Sequence, residues 1–208
     1  MSSASVDRRS ELARTEGPSN VDRRSELART EGRNTPSLES YIRSIPDFPK
    51  PGIKFFDITP LLASPVGLGA AIDALTELTR DLKPDIVIGA EARGFLFGPA
   101  LARELGAGFV LARKPGALPS TTIRTSYALE YGESVLELHD DSITPGARVL
   151  VHDDLLATGG TARALCSLVE QLGGEVVGCA FLIELAFLPG RAALAPHEAH
   201  ALITYDSE

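Results

Sequence analysis

The chain has 208 residues, of which 44% are hydrophobic, and a formal net charge of −8 at pH 7. This length suffices for one sizeable core and is short for two, so we expect a single domain. The acidic balance argues against nucleic-acid or anionic-membrane partners, so an anionic ligand must be held by a local site. No apolar run is long enough to span a membrane and the chain does not open on a signal-peptide pattern, which favours a cytoplasmic protein.

The first feature along the chain is a duplication. The segment VDRRSELARTEG occupies residues 6–17 and recurs unchanged at 21–32. Two copies are fewer than the roughly three repeats that a solenoid needs, and they contain few large apolar residues. Residues 1–35 are therefore predicted to form a disordered tail and residues 36–208 the globular domain.

Strands and helices are predicted to alternate from residue 37 onward. After a short helix, an amphipathic helix is predicted over 66–82, with its apolar stripe at Leu68, Ile72, Leu75, Leu78 and Leu82. Apolar runs predict strands at 85–90, 108–113, 135–139, 148–153 and 176–185, with intervening helices that end at Gly106 and at Gly173. The polar stretch 115–132 is predicted to be a long loop. This alternation indicates an α/β fold with a mostly parallel central sheet flanked by helices.

The stretch VLVHDDLLATGGT at residues 149–161 is the most informative motif. An apolar strand ends at two acids, and a helix is predicted to begin near Thr161, after a loop of small residues. Unpaired N–H groups at a helix N-terminus attract anions, and small residues let a phosphate reach them. Carboxylates beside a phosphate are explained if they accept hydrogen bonds from sugar hydroxyls, so the motif predicts a sugar-phosphate site.

This motif resembles the phosphoribosyl-pyrophosphate (PRPP) signature of type I phosphoribosyltransferases. The stretches PDFPKPGIKFFDITPLL, ARGFLFGPALARELG, RKPGALP and YALEYGESVLELH are similar to the adenine-specific members of that family. The resemblance covers about residues 38–190. It implies the type I phosphoribosyltransferase fold with a small hood region, and transfer of ribose 5-phosphate from PRPP to adenine, which gives AMP and pyrophosphate with Mg²⁺.

The resemblance also implies roles for individual residues in PRPP binding. Asp153 and Asp154 would hold the ribose hydroxyls and help the sugar carry positive charge. The 5′-phosphate would lie in a cradle formed by Ala157, Thr158, Gly159, Gly160 and Thr161. Pyrophosphate would be met by Arg93, Gly94, Arg113 and Lys114. Mg²⁺ would be held mainly through PRPP, with no direct protein ligand.

Two further groups would serve the base. In the family the loop after Pro115 closes over the substrate, so Glu130 would face adenine as a catalytic residue and Tyr131 would shield PRPP. Lys54, Phe55 and Phe56 would lie beside adenine, where backbone groups and apolar cover recognise the base.

The sequence departs from the family pattern at three positions. Phe56 stands where many members have Arg, Ala117 replaces a lysine that would reach pyrophosphate, and His152 replaces a valine. Ala117 predicts weaker PRPP binding than an Ala117→Lys variant would show. His152 is interpreted as a tolerated strand substitution.

Alternative functions keep the same motif. The base could be hypoxanthine, guanine, xanthine or a pyrimidine, or the protein could be a PRPP-sensing regulator without turnover. The LEYG motif speaks against the first alternative, and the near-neutral tail, which is not a DNA-binding arm, speaks against the second. The family resemblance further implies a homodimer.

Overall fold

The computed structural model describes residues 37–129 and 132–207. Its strands, in chain order, are β1 (Arg43–Ile45), β2 (Phe55–Asp57), β3 (Ile86–Ala90), β4 (Gly108–Ala112), β5 (Thr122–Leu129), β6 (Gly132–His139), β7 (Arg148–Leu156), β8 (Glu175–Leu185) and β9 (Ala199–Tyr205). Its α-helices are α1 (Thr59–Ala63), α2 (Pro65–Thr79), α3 (Gly98–Leu105), α4 (Gly160–Gln171) and α5 (Gly190–Leu194). Short 3₁₀ turns occupy Leu38–Tyr41, Arg80–Leu82 and Arg93–Phe95.

A parallel five-stranded sheet in the order β4-β3-β7-β8-β9 forms the centre, as the alternation of apolar runs predicted. Neighbouring residues of β7 serve opposite faces. Val149 and Val151 pack with residues of α4, whereas Leu150 packs with residues of α2 and α3. Because helices cover both faces, the strands bury their side chains on both sides, which explains their continuous apolar runs.

The predicted helices are confirmed, with a difference on one face. α2 and the following 3₁₀ turn match the helix predicted over 66–82, and Gly106, at φ +73°, ends α3. Leu75 is fully buried, but Leu78 is 37% exposed. The buried face of α2 also includes Ala71, Thr76 and Thr79, and the two threonine hydroxyls donate to helix carbonyls one turn earlier.

The long loop predicted over 115–132 is largely a strand. β5 pairs antiparallel with β6 in a two-stranded sheet separate from the central one. The residues of β5 are largely polar, because a two-stranded ribbon keeps much of its surface in solvent. The sequence therefore does not show the apolar pattern that predicts a buried strand.

A second small sheet lies N-terminal to the main one. β1 pairs antiparallel with β2, and Arg43 donates to the carboxylate of Asp57 across this pair. Residues 43–57 correspond to the small hood region expected from the family resemblance. Within the described part of the chain, every helix is too short or too polar to cross a membrane.

Candidate active site

β7 is longer than the sequence predicted, so that the two acids lie within the strand and not at its end. The strand does not end near Asp153 but continues to Leu156, because Asp153 and Leu155 still pair with Phe181 and Ile183 of β8. α4 then begins at Gly160. The acids thus belong to a rigid strand, and the loop between strand and helix is shorter than expected.

The carboxylates of Asp153 and Asp154 lie at the carboxyl end of the sheet. Asp154 is 3% exposed; one of its oxygens lies 3.3 Å from an Arg93 nitrogen, and Oδ1 is buried without a hydrogen-bond partner among the described residues. Asp153 is half-buried and accepts a hydrogen bond from the backbone N–H of Asp154. Burial and the Asp154 charge raise the pKa of Asp153, and burial raises the pKa of Asp154 against the lowering effect of Arg93. Such a pair gains from ligand groups that donate hydrogen bonds.

Residues 157–161, the cradle, wrap the N-terminus of α4. Gly159 directly precedes α4, and its φ of +85° is a backbone conformation that residues with a side chain rarely adopt. No side chain at this N-cap position hydrogen-bonds to the first N–H groups of α4. The first-turn N–H groups of a 12-residue helix therefore stay available to an anion. A cavity of about 180 Å³ lies here, and all five cradle residues line it together with Arg93 and Asp153.

A second, larger cavity of about 820 Å³, the cleft, adjoins the cradle. It is mainly apolar and runs between the hood and the loop after β8, where Phe187 and Leu188 form part of its wall. Cradle and cleft share wall residues, namely Arg93, Leu155, Ala157 and Thr158. A ligand with a phosphate at one end and a flat apolar group at the other could therefore occupy both.

The loop after β3 brings Arg93 and Gly94 to the same edge. A Cβ at Gly94 would lie 3.1 Å from the His152 carbonyl oxygen and 3.2 Å from the Gly89 Cα, so the turn packs directly on the strand ends. Arg93 is half-exposed and borders both cavities. The structure thus brings this predicted cation to the acids and the cradle.

Arg113 and Lys114 follow β4, one strand further out. Arg113 donates to Glu91 at 3.0 Å and to the Ala117 carbonyl at 3.1 Å, and the backbone N–H of Lys114 donates to Glu91 at 2.7 Å. The Lys114 N–H, more than the Arg113 guanidinium, lowers the pKa of Glu91. Neither Arg113 nor Lys114 lines the two cavities. Arg113 therefore fixes its own loop.

Glu137 of β6 holds the other side of that loop. It is 1% exposed and accepts from the backbone N–H groups of Gly116 and Leu118 and from Arg124 at 3.0 Å. Although burial raises the pKa of Glu137, these donors outweigh burial and lower it. Arg124 is thereby committed to Glu137 rather than standing in freely for the lysine missing at Ala117.

The predicted base-contacting residues Lys54, Phe55 and Phe56 all line the cleft. Phe56 is 8% exposed and stacks on Tyr205 at the end of β9, with ring centroids 4.1 Å apart. Lys54 places its Nζ 6.0 Å from the Phe56 ring. The aromatic residue that replaces the family arginine is thus part of a wall that spans the hood and the central sheet.

His152 is fully buried under the acids. Its Nδ1 lies 3.0 Å from the Ala180 carbonyl oxygen, and its Nε2 is buried without a partner in the described residues. Burial lowers the pKa of His152 to about 4. It faces Phe97 rather than either cavity, in keeping with a strand substitution rather than a catalytic base.

Two predicted site residues, Glu130 and Tyr131, lie outside the described residues. Among the described residues, no three His, Cys, Asp or Glu side chains converge in a way that could enclose a metal ion.

Sequence reasoning missed several residues that shape the site. Phe187 and Leu188 had an available signal, since they follow the longest apolar run at the ligand-binding edge of the sheet. No sequence pattern indicated a role for Glu91 or Glu137. Glu137 lies between two leucines in an alternating strand, a pattern typical of a solvent-facing residue, yet it is buried.

Known proteins are similar to this chain in sequence and fold. Residues 58–203 match the phosphoribosyl transferase domain family. A Rubrobacter xylanophilus protein named adenine phosphoribosyltransferase is 60% identical over 169 residues, 81% of this chain and 91% of its own length. The crystal structure of adenine phosphoribosyltransferase from Thermoanaerobacter pseudethanolicus superposes with a TM-score of 0.79 at 49% identity, and covers 81% of this chain and 100% of its own.

A third similar structure contains ligands. It is adenine phosphoribosyl transferase from Trypanosoma brucei in complex with AMP, pyrophosphate and ribose-5-phosphate. Its TM-score is 0.73 at 26% identity, and the match covers 80% of this chain and 78% of that one.

Proposed function

The chain belongs to the phosphoribosyl transferase family as an adenine phosphoribosyltransferase, which forms AMP and pyrophosphate from PRPP and adenine, and from this premise we propose how its residues divide the work. The observation that carries the assignment of roles is the shared wall of cradle and cleft. A nucleotide has its phosphate and its base at opposite ends, as this double cavity requires.

The ribose and its 5′-phosphate occupy the carboxyl end of β7. The Asp153 and Asp154 carboxylates accept hydrogen bonds from the ribose hydroxyls; Asp153 lines the smaller cavity, and Asp154 lies beside Arg93, which borders both cavities. Ala157, Thr158, Gly159, Gly160 and Thr161 hold the phosphate at the α4 N-terminus. As the bond from C1′ to pyrophosphate breaks, the sugar gains positive charge, which the nearby carboxylates stabilise.

Pyrophosphate leaves on the side of Arg93 and Gly94, with Arg113 and Lys114 at the next strand end. Arg93 is half-exposed at the junction of both cavities, which supports a contact with the departing group. Arg113 and Lys114 reach pyrophosphate after the loop held by Glu91 and Glu137 adjusts. Mg²⁺, carried mainly on PRPP, would neutralise charge on pyrophosphate.

Adenine lies in the cleft beside Lys54, Phe55 and Phe56. The apolar wall of the hood and of Phe187 and Leu188 supports a flat aromatic ligand. Glu130 acts on the base as a hydrogen-bond acceptor or manages the proton as N9 attacks C1′, and Tyr131 shields the site. These two roles rest on the LEYG motif alone.

A base panel tests the function. Purified protein with PRPP and Mg²⁺ is expected to form AMP from adenine and to show little turnover of hypoxanthine, guanine or xanthine. Equal turnover of another base would favour the wider-specificity alternative. PRPP binding without turnover of any base would favour a PRPP-sensing regulator.

The remaining assignments concern the whole protein. We propose a cytoplasmic homodimer that binds neither nucleic acid nor membrane; the tail predicted over residues 1–35 lies outside the described residues. Leu111 is exposed on the edge strand β4 and Leu96 is exposed after the 3₁₀ turn Arg93–Phe95, and these apolar side chains support a partner surface. Light scattering tests the dimer, and deletion of residues 1–33 is expected to leave activity and melting temperature unchanged.

A further inference from the structure

The cradle rests on α5, an element that the sugar-phosphate motif does not include. A Cβ at Gly159 would lie 2.8 Å from the Gly190 carbonyl oxygen and 3.0 Å from the Ala193 Cβ. A Cβ at Gly190 would overlap the Ala157 carbonyl oxygen. The backbones of cradle and α5 therefore touch, so the position of α5 sets the position of the cradle.

α5 is too short to hold its own place. It has five residues, its first turn has no side-chain cap, and isolated helices of this length are unstable. Leu194 anchors its end in the core, and Arg191 ties its first turn to the sheet. Its Nε and one terminal nitrogen donate to both carboxylate oxygens of Glu184, at 2.9 and 2.5 Å, and its other terminal nitrogen donates to the Ala199 carbonyl.

Glu184 is a firm anchor for this contact. It is 5% exposed and lies near the end of β8, where it pairs in register with Thr204 of β9. Among the described residues, Arg191 donates the hydrogen bonds that the Glu184 carboxylate accepts. The hydrogen bonds that Arg191 donates to Glu184 raise the pKa of Arg191. A planar, two-pronged contact of this kind fixes orientation as well as distance.

We propose that the Glu184–Arg191 pair is a positioning device for the 5′-phosphate cradle, acting through Gly190 on Ala157 and Gly159. The proposal rests on the function assigned above. Neither side chain touches substrate, so both are positioning residues and not catalytic ones. Their effect is selective for the phosphate end of the substrate.

The selectivity follows from separate anchors for the cleft wall. Ala186 N–H donates to the Tyr205 carbonyl at 2.9 Å, and Leu188 N–H donates to the Leu185 carbonyl at 3.0 Å. These bonds hold the cleft-lining residues Phe187 and Leu188 without Arg191. Loss of the Arg191 contact should therefore displace the cradle more than the cleft.

The test is Arg191→Met with Arg148→Met as matched control. Arg148 also binds one carboxylate, Glu175, and two backbone carbonyls, but at the opposite end of β7 and β8. We expect Arg191→Met to raise the PRPP KM about tenfold or more, since small misplacement of a binding group has effects of this size. The adenine KM and kcat should stay within about threefold, as for loss of uniform binding. Arg148→Met should lower the melting temperature and leave the PRPP KM unchanged.

Two further variants make the result decisive. Arg191→Lys keeps the charge but not the planar fork, and should recover part of the PRPP affinity. If Arg191→Met is insoluble, Glu184→Gln is measured by the same criteria. An unchanged PRPP KM, or an equal rise in both KM values, would overturn the proposal.

Direct binding separates this proposal from the assigned function. Calorimetric titration with ribose 5-phosphate should show the same loss of affinity in Arg191→Met and no loss in Arg148→Met. If the wild-type protein binds ribose 5-phosphate but forms no AMP, the assigned function is overturned. The same titration of Arg191→Met and Arg148→Met then still decides whether the Glu184–Arg191 pair positions the cradle.

Discussion

The cradle and the cleft are adjoining parts of one site, but they are built differently. The cradle is continuous in sequence, uses backbone groups and small side chains, and binds at a helix N-terminus. The cleft draws its wall from the hood, from the loop after β8 and, behind Phe56, from the end of β9. In the cradle a Cβ added at Gly159 would meet the backbone of Gly190, whereas the cleft wall is made of side chains from separate segments.

Replacing both acids tests the junction of the two parts and should have the largest effect. Asp153→Asn with Asp154→Asn removes charged acceptors for the ribose hydroxyls, each worth roughly 1.5–3 kcal/mol. We expect kcat/KM for PRPP to fall at least about a hundredfold. Steady-state kinetics with adenine saturating measures this. Retention of PRPP affinity and turnover in the double variant would remove the sugar-binding interpretation.

A methyl group at Gly159 tests the cradle alone. Gly159→Ala combines a strained φ with contact against Gly190, and should raise the PRPP KM roughly tenfold with little change in the adenine KM. Gly146→Ala is the matched control, because Gly146 has a similar φ of +82° but nothing within 4 Å of its added Cβ. The control should lose stability only. Equal kinetic effects in both variants would show that backbone strain, not cradle geometry, is responsible.

A smaller change is expected from the cleft. Phe56→Leu removes the stack on Tyr205 and keeps an apolar wall, so the adenine KM should rise several-fold while the PRPP KM stays constant. An aromatic pair contributes about 0.5–1.5 kcal/mol, which sets this scale. Binding titrations with adenine analogues would extend the measurement. A larger effect on PRPP than on adenine would contradict the division between cradle and cleft.

A cation restored at position 117 should help PRPP modestly. Ala117→Lys lies in the loop clasped by Glu91 and Glu137, and its ammonium would be screened by solvent, so a gain of about 1 kcal/mol, or roughly fivefold in PRPP KM, is expected. Ala117→Met controls for side-chain length. An unchanged PRPP KM in the lysine variant would mean that position 117 does not reach pyrophosphate.

The smallest catalytic effect, but a clear pH signature, is expected at His152. Its pKa of about 4 in the fold lies below the ordinary value of 6.5, so the unfolded chain binds the proton more readily. Wild-type stability should therefore fall as pH drops from about 6.5 towards 4, and His152→Val should lack this part of the loss. Melting temperatures at pH 8, 6 and 5 measure it. Parallel pH profiles would assign the loss to other groups.

Local patterns of the sequence were enough to predict the parallel sheet and a loop of small residues before α4, whereas Lys54, Phe55 and Phe56 were expected beside the base only from the family resemblance. They failed where contacts between distant segments decide the outcome. β7 extends beyond Asp153 and Asp154 because β8 continues to pair with it. The strand Thr122–Leu129 forms because β6 pairs with it. Glu137 is buried because it serves backbone donors 19 and 21 residues away, which no periodicity reveals.

The wall shared by the two cavities has a bearing on how the enzyme can be altered. Leu155, Ala157 and Thr158 each line both compartments, so a larger side chain there would take up space in both. Redesign towards a different nucleobase should instead begin at Lys54, Phe55 or Phe187, which border the larger compartment only. An inhibitor that fills both compartments would compete with nucleotide product and with each substrate through one contiguous surface.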